Sequence, residues 1–229
     1  MDFEALPGPS LPELARTALD RAETATITVP RGTVAVARVR AGGDGSPVLL
    51  ASAGSLLDHQ LIGRQGTVTV TVPAAVPFRA VRLTGTPRHV ARDAAAGITA
   101  CTVDLGAVEL SGSSTTSVPV TAYRAAAPDP LWRIAPGVLH HLAHYHVREL
   151  VSCVRAHGMT EADWVMPRGL DRYGLELVVL TAGGAASARL SFPDGPVTSL
   201  QDVPPSIRIA LTCRCQARPG PRCARPATS

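Results

Sequence analysis

Residues 66–73 read GTVTVTVP, and no other stretch limits the fold so tightly. Val68, Val70 and Val72 alternate with Thr67, Thr69 and Thr71. Successive side chains of an extended strand point to opposite faces, so the valines share one side and the threonines the other. A helix would scatter the same valines around its axis. The stretch predicts a half-buried β-strand.

The same period recurs. TATITVP (24–30) and TVAVARVR (33–40) alternate apolar and polar residues, and the turn cluster AGGDGS (41–46) precedes PVLLAS (47–52). FRAVRLTGTPRHV (78–90), CTVDLGAVEL (101–110) and SVPVTAYRA (117–125) predict three further strands. Two helices interrupt them. LPELARTALDRA (11–22) can be capped by Ser10, with Pro12 and Glu13 in its first turn. GSLLDHQLIGRQ (54–65) is expected to turn Leu56, Leu57, Leu61 and Ile62 inward, with Asp58 and His59 as a surface pair. Many strands with one small inserted helix predict a closed or split barrel. Only 3% of residues are aromatic, so the core must come from Val, Leu, Ala and Ile.

APDPLW (127–132) marks a boundary, because its prolines stop the preceding strand. Beyond it the spacing predicts a single helix over Val138–His157, ended by Gly158. GLDRYGLELVVLTA (169–182) and ARLSFP (188–193) predict a hairpin across AGGAAS, and SLQDVPPSIRIAL (199–211) a closing helix from near Pro204. The expected organisation is a barrel over 1–126, a small α/β domain over 131–215 and a flexible tail over 216–229. Trp132 and Trp164 are expected to pack at junctions.

Composition excludes several functions. All 22 basic residues are arginine, which rules out Schiff-base lysine chemistry and a Walker-type phosphate lysine. The net charge of +4 is spread along the chain, so no nucleic-acid partner is indicated. Five cysteines, an odd count, and an acidic proline-rich start predict a cytoplasmic protein without a secretory leader. No apolar run approaches the roughly 20 residues that span a bilayer. Neither a Gly-x-Ser-x-Gly elbow nor a Gly-x-Gly-x-x-Gly turn occurs, and no catalytic residue is assigned.

Four of the seven histidines, His140, His141, His144 and His146, crowd one short segment. His140 and His144 at i, i+4, or His141 and His144 at i, i+3, can hold a divalent metal. The alternative is that His146 packs inward while His140 and His144 face solvent or a partner. Cys213 and Cys215, with Cys223, can supply thiolates to zinc or an iron–sulfur cluster, do redox chemistry, or sit as thiols on a loose tail. Arg79, Arg82 and Arg88, and likewise Arg38 and Arg40, either face an anionic ligand or simply face water.

PVLLASAGSLLDHQLIGRQGTVTVTV and AVRLTGTPRHV, with HLAHYHVREL, LDRYGLEL and ARLSFPDGPV after them, resemble the flavin-binding split-barrel family. That family includes pyridoxamine-phosphate-oxidase-like proteins and haem-utilisation proteins of the HugZ type. The resemblance covers nearly the whole chain. It implies an α+β fold, a split β-barrel followed by a small α/β domain, and a homodimer with ligand sites at the barrel interface. It implies haem or FMN as cofactor and a role in iron or tetrapyrrole metabolism. FMN-dependent oxidoreductase activity and a non-catalytic role binding a protein partner stand beside that role. The relatives' His-Met-Asn-x-Asp-His pattern falls on His141 to His146; both outer histidines match, while Ala143 and Tyr145 replace the polar residues. Ser52 and Asp171 match family positions, and Leu56 and Leu57 replace a His-Thr pair. The cofactor-binding set is thus Ser52, Arg64, Arg79, Arg82, His141, His146 and Asp171, and the metal candidates are His140, His144, Cys213 and Cys215.

Overall fold

The structure is a computed structural model that describes residues 8–29, 34–62, 66–93, 95–192 and 195–203. It divides into two compact units, Ser10–Asp129 and a second formed mainly from Pro130 onward.

The first unit opens with α1 (Leu11–Arg21). Ser10 caps it, its amide and hydroxyl both donating to a Glu13 carboxylate oxygen at 2.8 Å. Seven strands follow: β1 (Thr24–Thr28), β2 (Val34–Ala41), β3 (Pro47–Ser52), β4 (Val68–Pro73), β5 (Ala80–Asp93), β6 (Ile98–Ser111) and β7 (Thr115–Val118). They pair antiparallel in the order β3-β2-β1-β4-β5-β6-β7. A further pairing of β3 with β6, with Leu49 opposite Cys101, closes six of them into a barrel. Closure leaves those six without a free edge. Val68, Val70 and Val72 are all buried and point inward, as their alternation predicts.

A bulge keeps β6, one of two strands of 14 residues, in phase. Gly85 pairs with Leu105 but Thr84 with Ala107, so Gly106 is the extra residue. Cys101, Val103 and Leu105 are buried before it, Val108 and Leu110 after it. Without the extra residue a strict period of two would turn the last pair outward.

The end of this unit corrects the expected strand over 117–125. β7 stops at Val118, and α3 (Val120–Ala125) follows. Pro119 cannot extend the ladder, and its φ of −56° suits a helix start. α3 buries Tyr123, whose hydroxyl donates to the Gly45 carbonyl at 2.8 Å. In α2 (Leu56–Ile62), Leu57 and Leu61 are buried as expected, but Leu56 is 66% exposed. A helix this short shows the barrel one narrow face.

In the second unit the predicted single helix is two, α4 (Ala135–Tyr145) and α5 (Val147–Ala156), broken at His146. Val138 and Val154 would lie roughly 160° apart on one continuous helix. The break lets both face one core, with Val138, Leu142, Leu150 and Val154 all buried. The sheet is a meander of β8 (Trp164–Asp171), β9 (Gly174–Thr181) and β10 (Gly184–Ser191), in the order β10-β9-β8. The predicted strand over 169–182 is therefore split. Asp171 accepts the Tyr173 amide at 2.8 Å and turns the chain there. β8 carries Pro167 and Gly169, which hid it in the sequence. It is an edge strand with a register shift between those residues, a position where proline is tolerated. Of the closing helix only a 3-10 turn, Leu200–Asp202, falls within the described residues. Among the described residues no helix is long and apolar enough to cross a membrane.

Candidate functional site

Among the described residues, the densest group of ligating side chains lies where α4 ends. His140 and His144 occupy its exposed side, their ring centroids 4.1 Å apart. His144 Nδ1 lies 2.7 Å from the His140 carbonyl oxygen, so Nδ1 carries the proton and Nε2 presents its lone pair outward. His59 and His157 make the same bond to the carbonyls of Ser55 and Cys153, each at 2.8 Å. His144 differs in its company, with the exposed Tyr145 ring at 6.3 Å and the His140 ring tilted beside it.

His141 is the buried member, 4% exposed, whereas the sequence had suggested His146. His146 is partly covered, with its Nε2 3.1 Å from His141 Nε2. Burial lowers the His141 pKa below its ordinary value, and positive charge on His146 and then on His140 lowers it further. On the far side of the His146 ring, Glu149 Oε2 stands 4.0 Å from Nδ1. Among the described residues no group of three or more His, Cys, Asp or Glu forms a metal site. Cys213 and Cys215 lie outside the described residues.

Asp171 has a structural setting. Besides holding the Tyr173 amide it forms an ion pair with Arg189 of β10, and Glu176 approaches the same arginine at 4.0 Å. The carboxylate thus ties the β8–β9 turn to the third strand.

The barrel candidates are dispersed. Ser52 is exposed and opposite Ile98, the first residue of β6, while the Arg79 amide bonds the carbonyl of Ser111, its last. Thirteen residues of extended chain separate those ends, on the order of 40 Å along the strand. Within one chain, no single phosphate bridges Ser52 and Arg79. Arg82 is exposed and sits in register with Glu109, a solvent-facing arrangement. Arg38, Arg40 and Arg88 are exposed too, and Arg88 pairs with Asp104 at 2.9 Å. Arg64 lies outside the described residues.

Two features were missed in the sequence. Asp58, expected at the surface, is fully buried. It accepts the Gly54 amide at 2.7 Å and pairs with Arg92 at 3.2 Å. The Gly54 amide first, then the nearby Thr99 hydroxyl and the Arg92 charge, hold its pKa below the ordinary value against the opposing effect of burial. No spacing distinguished it from any helical Asp. The second is the open face of β8 and β9, where Trp164, Met166 and Leu180 are each about two-fifths exposed. Trp164 faces Leu180 in register, and is an exposed residue instead of a packing one.

No protein-family model matches the chain, and no curated protein matches it in sequence. Among solved structures it is similar to a heme binding protein from Mycobacterium smegmatis, at 23% identity and a TM-score of 0.70. That similarity covers 93% of this chain and 100% of the other, and shows a shared fold. A protein of unknown function from Agrobacterium tumefaciens, Atu2129, aligns at 15% identity with a TM-score of 0.37, over 87% of this chain and 93% of that one. At that score the likeness has no bearing on the fold.

Proposed function

We propose that this protein binds haem in the service of iron or tetrapyrrole metabolism, with His144 as the iron ligand. The observation that carries the reading is the His144 ring itself. Its Nδ1 proton is committed to the His140 carbonyl, so an exposed Nε2 is left as a ready donor. An imidazole held in that tautomer is the usual form of a haem ligand, and the carbonyl bond fixes the ring's orientation. The donor set therefore fits the group. His140 and Tyr145 flank the position with flat ring surfaces. The shared fold with a heme binding protein supports the reading. Haem would supply the iron chemistry; the chain would supply the ligand and its orientation. FMN is the weaker candidate, because Ser52 and Arg79 stand at opposite ends of β6.

Haemin titration of the purified protein tests this. A saturable Soret shift that is lost in His144→Ala and kept in His59→Ala supports the assignment. Equal titrations of wild type and His144→Ala would overturn it.

A second reading rests on the open face of β8 and β9. Trp164, Met166 and Leu180 make it apolar enough to receive a protein partner, including a second copy in the homodimer that the family resemblance implies. A protein that shows no Soret shift and is monomeric by light scattering, but becomes dimeric when concentrated, would favour it.

A further inference from the structure

His141 and His146 are five residues apart. On an unbroken α-helix, residues so spaced point about 140° away from each other. These two meet because the helix stops. His146 has φ −127° and ψ 21°, and α5 starts afresh at Val147. The break swings the His146 ring back until its Nε2 lies 3.1 Å from that of His141, with ring centroids 4.9 Å apart. In the neutral pair one nitrogen donates a proton to the other. When each ring instead carries its proton on Nδ1, two lone pairs converge on one point.

We propose that His141 and His146 form a site for a divalent, nitrogen-preferring transition-metal cation of the Ni2+, Co2+ and Zn2+ class, held by both Nε2 atoms with water completing its coordination. The distance suits that chemistry. With metal–nitrogen bonds of about 2.1 Å, nitrogens 3.1 Å apart subtend about 95° at the metal. That is the angle between neighbouring ligands of an octahedral or tetragonal ion, and small ring movements reach the tetrahedral angle.

Two surroundings agree. Glu149 Oε2 stands 4.0 Å from His146 Nδ1, on the side away from His141. A carboxylate there favours the Nδ1–H tautomer and frees Nε2 for the metal, as outer carboxylates do around metal-bound histidines. His141 is 4% exposed and cannot turn to water instead. With two protein ligands the site is open, and its affinity lies below that of a closed four-ligand zinc site. It is separate from the His144 ligand proposed for haem.

The test uses the full chain with any affinity tag removed, stripped with EDTA and titrated with NiCl2 by calorimetry. The expected result is one saturable site, weakened at least about tenfold in His146→Ala and changed by less than about twofold in the His140→Ala/His144→Ala double variant. His141→Gln alters a buried side chain, so the partly covered His146 carries the test and far-ultraviolet circular dichroism checks its fold. Wild type binding Ni2+ no more tightly than His146→Ala would overturn the proposal. So would an equal loss in the double variant, which would place the ion on the exposed pair. Haemin titration of His146→Ala separates the two sites: a normal Soret shift there with Ni2+ binding lost shows that they are independent.

Discussion

Asp58, without solvent exposure, meets Arg92 at 3.2 Å across 34 residues of sequence, and so ties α2 to the far end of β5. Its carboxylate is held ionised chiefly by the Gly54 amide. Because the folded pKa is depressed, the stabilisation is complete above the unfolded carboxylate value and is lost as pH falls through the folded one. Asp58→Asn should therefore melt below wild type at neutral pH, and the gap should narrow as pH drops below about 4. Melting curves at a series of pH values check this; a gap constant with pH would contradict the ionised assignment.

His141 should act in the opposite part of the pH scale from a carboxylate. Burial and its neighbours lower its pKa, so the unfolded chain binds a proton there more readily than the folded one. Stability should then fall as pH drops below about 6.5 and stop falling once the folded group also titrates. His141→Gln should flatten that part of the profile. Ring-proton NMR should show His141 titrating below the ordinary histidine value.

Gly85 cannot carry a side chain. A Cβ on it would overlap the main-chain carbonyl of Asp104 beside the bulge, and a backbone atom cannot move aside as a side-chain tip can. Gly85→Ala should destabilise the protein by about 1–3 kcal/mol through overpacking. Gly106, the bulge residue itself, has open space around the same position, with its nearest atom 3.9 Å away. Gly106→Ala should be far milder, and paired urea titrations measure the difference.

Tyr123→Phe removes a fully buried hydroxyl and leaves the Gly45 carbonyl without that donor. The expected loss is about 1–2 kcal/mol. Burial pushes the phenol well above its ordinary pKa, so it stays neutral across the working range and the loss should not depend on pH between about 5 and 9.

Asp171→Asn tests whether this carboxylate is structural. The Arg189 and Asp171 side chains are only 12% and 19% exposed. Weakening this pair should cost about 1–3 kcal/mol, while haemin and Ni2+ binding should be retained in the folded fraction. Loss of ligand binding at unchanged stability would return Asp171 to the site.

The barrel was legible because its signal is local. Alternation in TVTVTV decides which valines face inward whatever the neighbours, since a strand has two faces and water wets one of them. The same holds for the Ser10 cap, where Glu13 lies three residues from its partner. The histidine cluster was legible as composition, and its exposed members as the outer side of a helix.

What the tertiary structure decided is everything that depends on who stands opposite. Asp58 is buried because Gly54 and Arg92 meet it there, and a sequence carries no mark of a partner 34 positions away. Trp164 is exposed because it falls on the face of β8 opposite the one that carries Val165 into the core. The helix breaks at His146 because two apolar stripes must lie on one core, and that demand comes from the sheet beneath them. Local sequence set the period of each element. The packing of elements against one another set where each period stopped, and so which two imidazoles came within 3.1 Å.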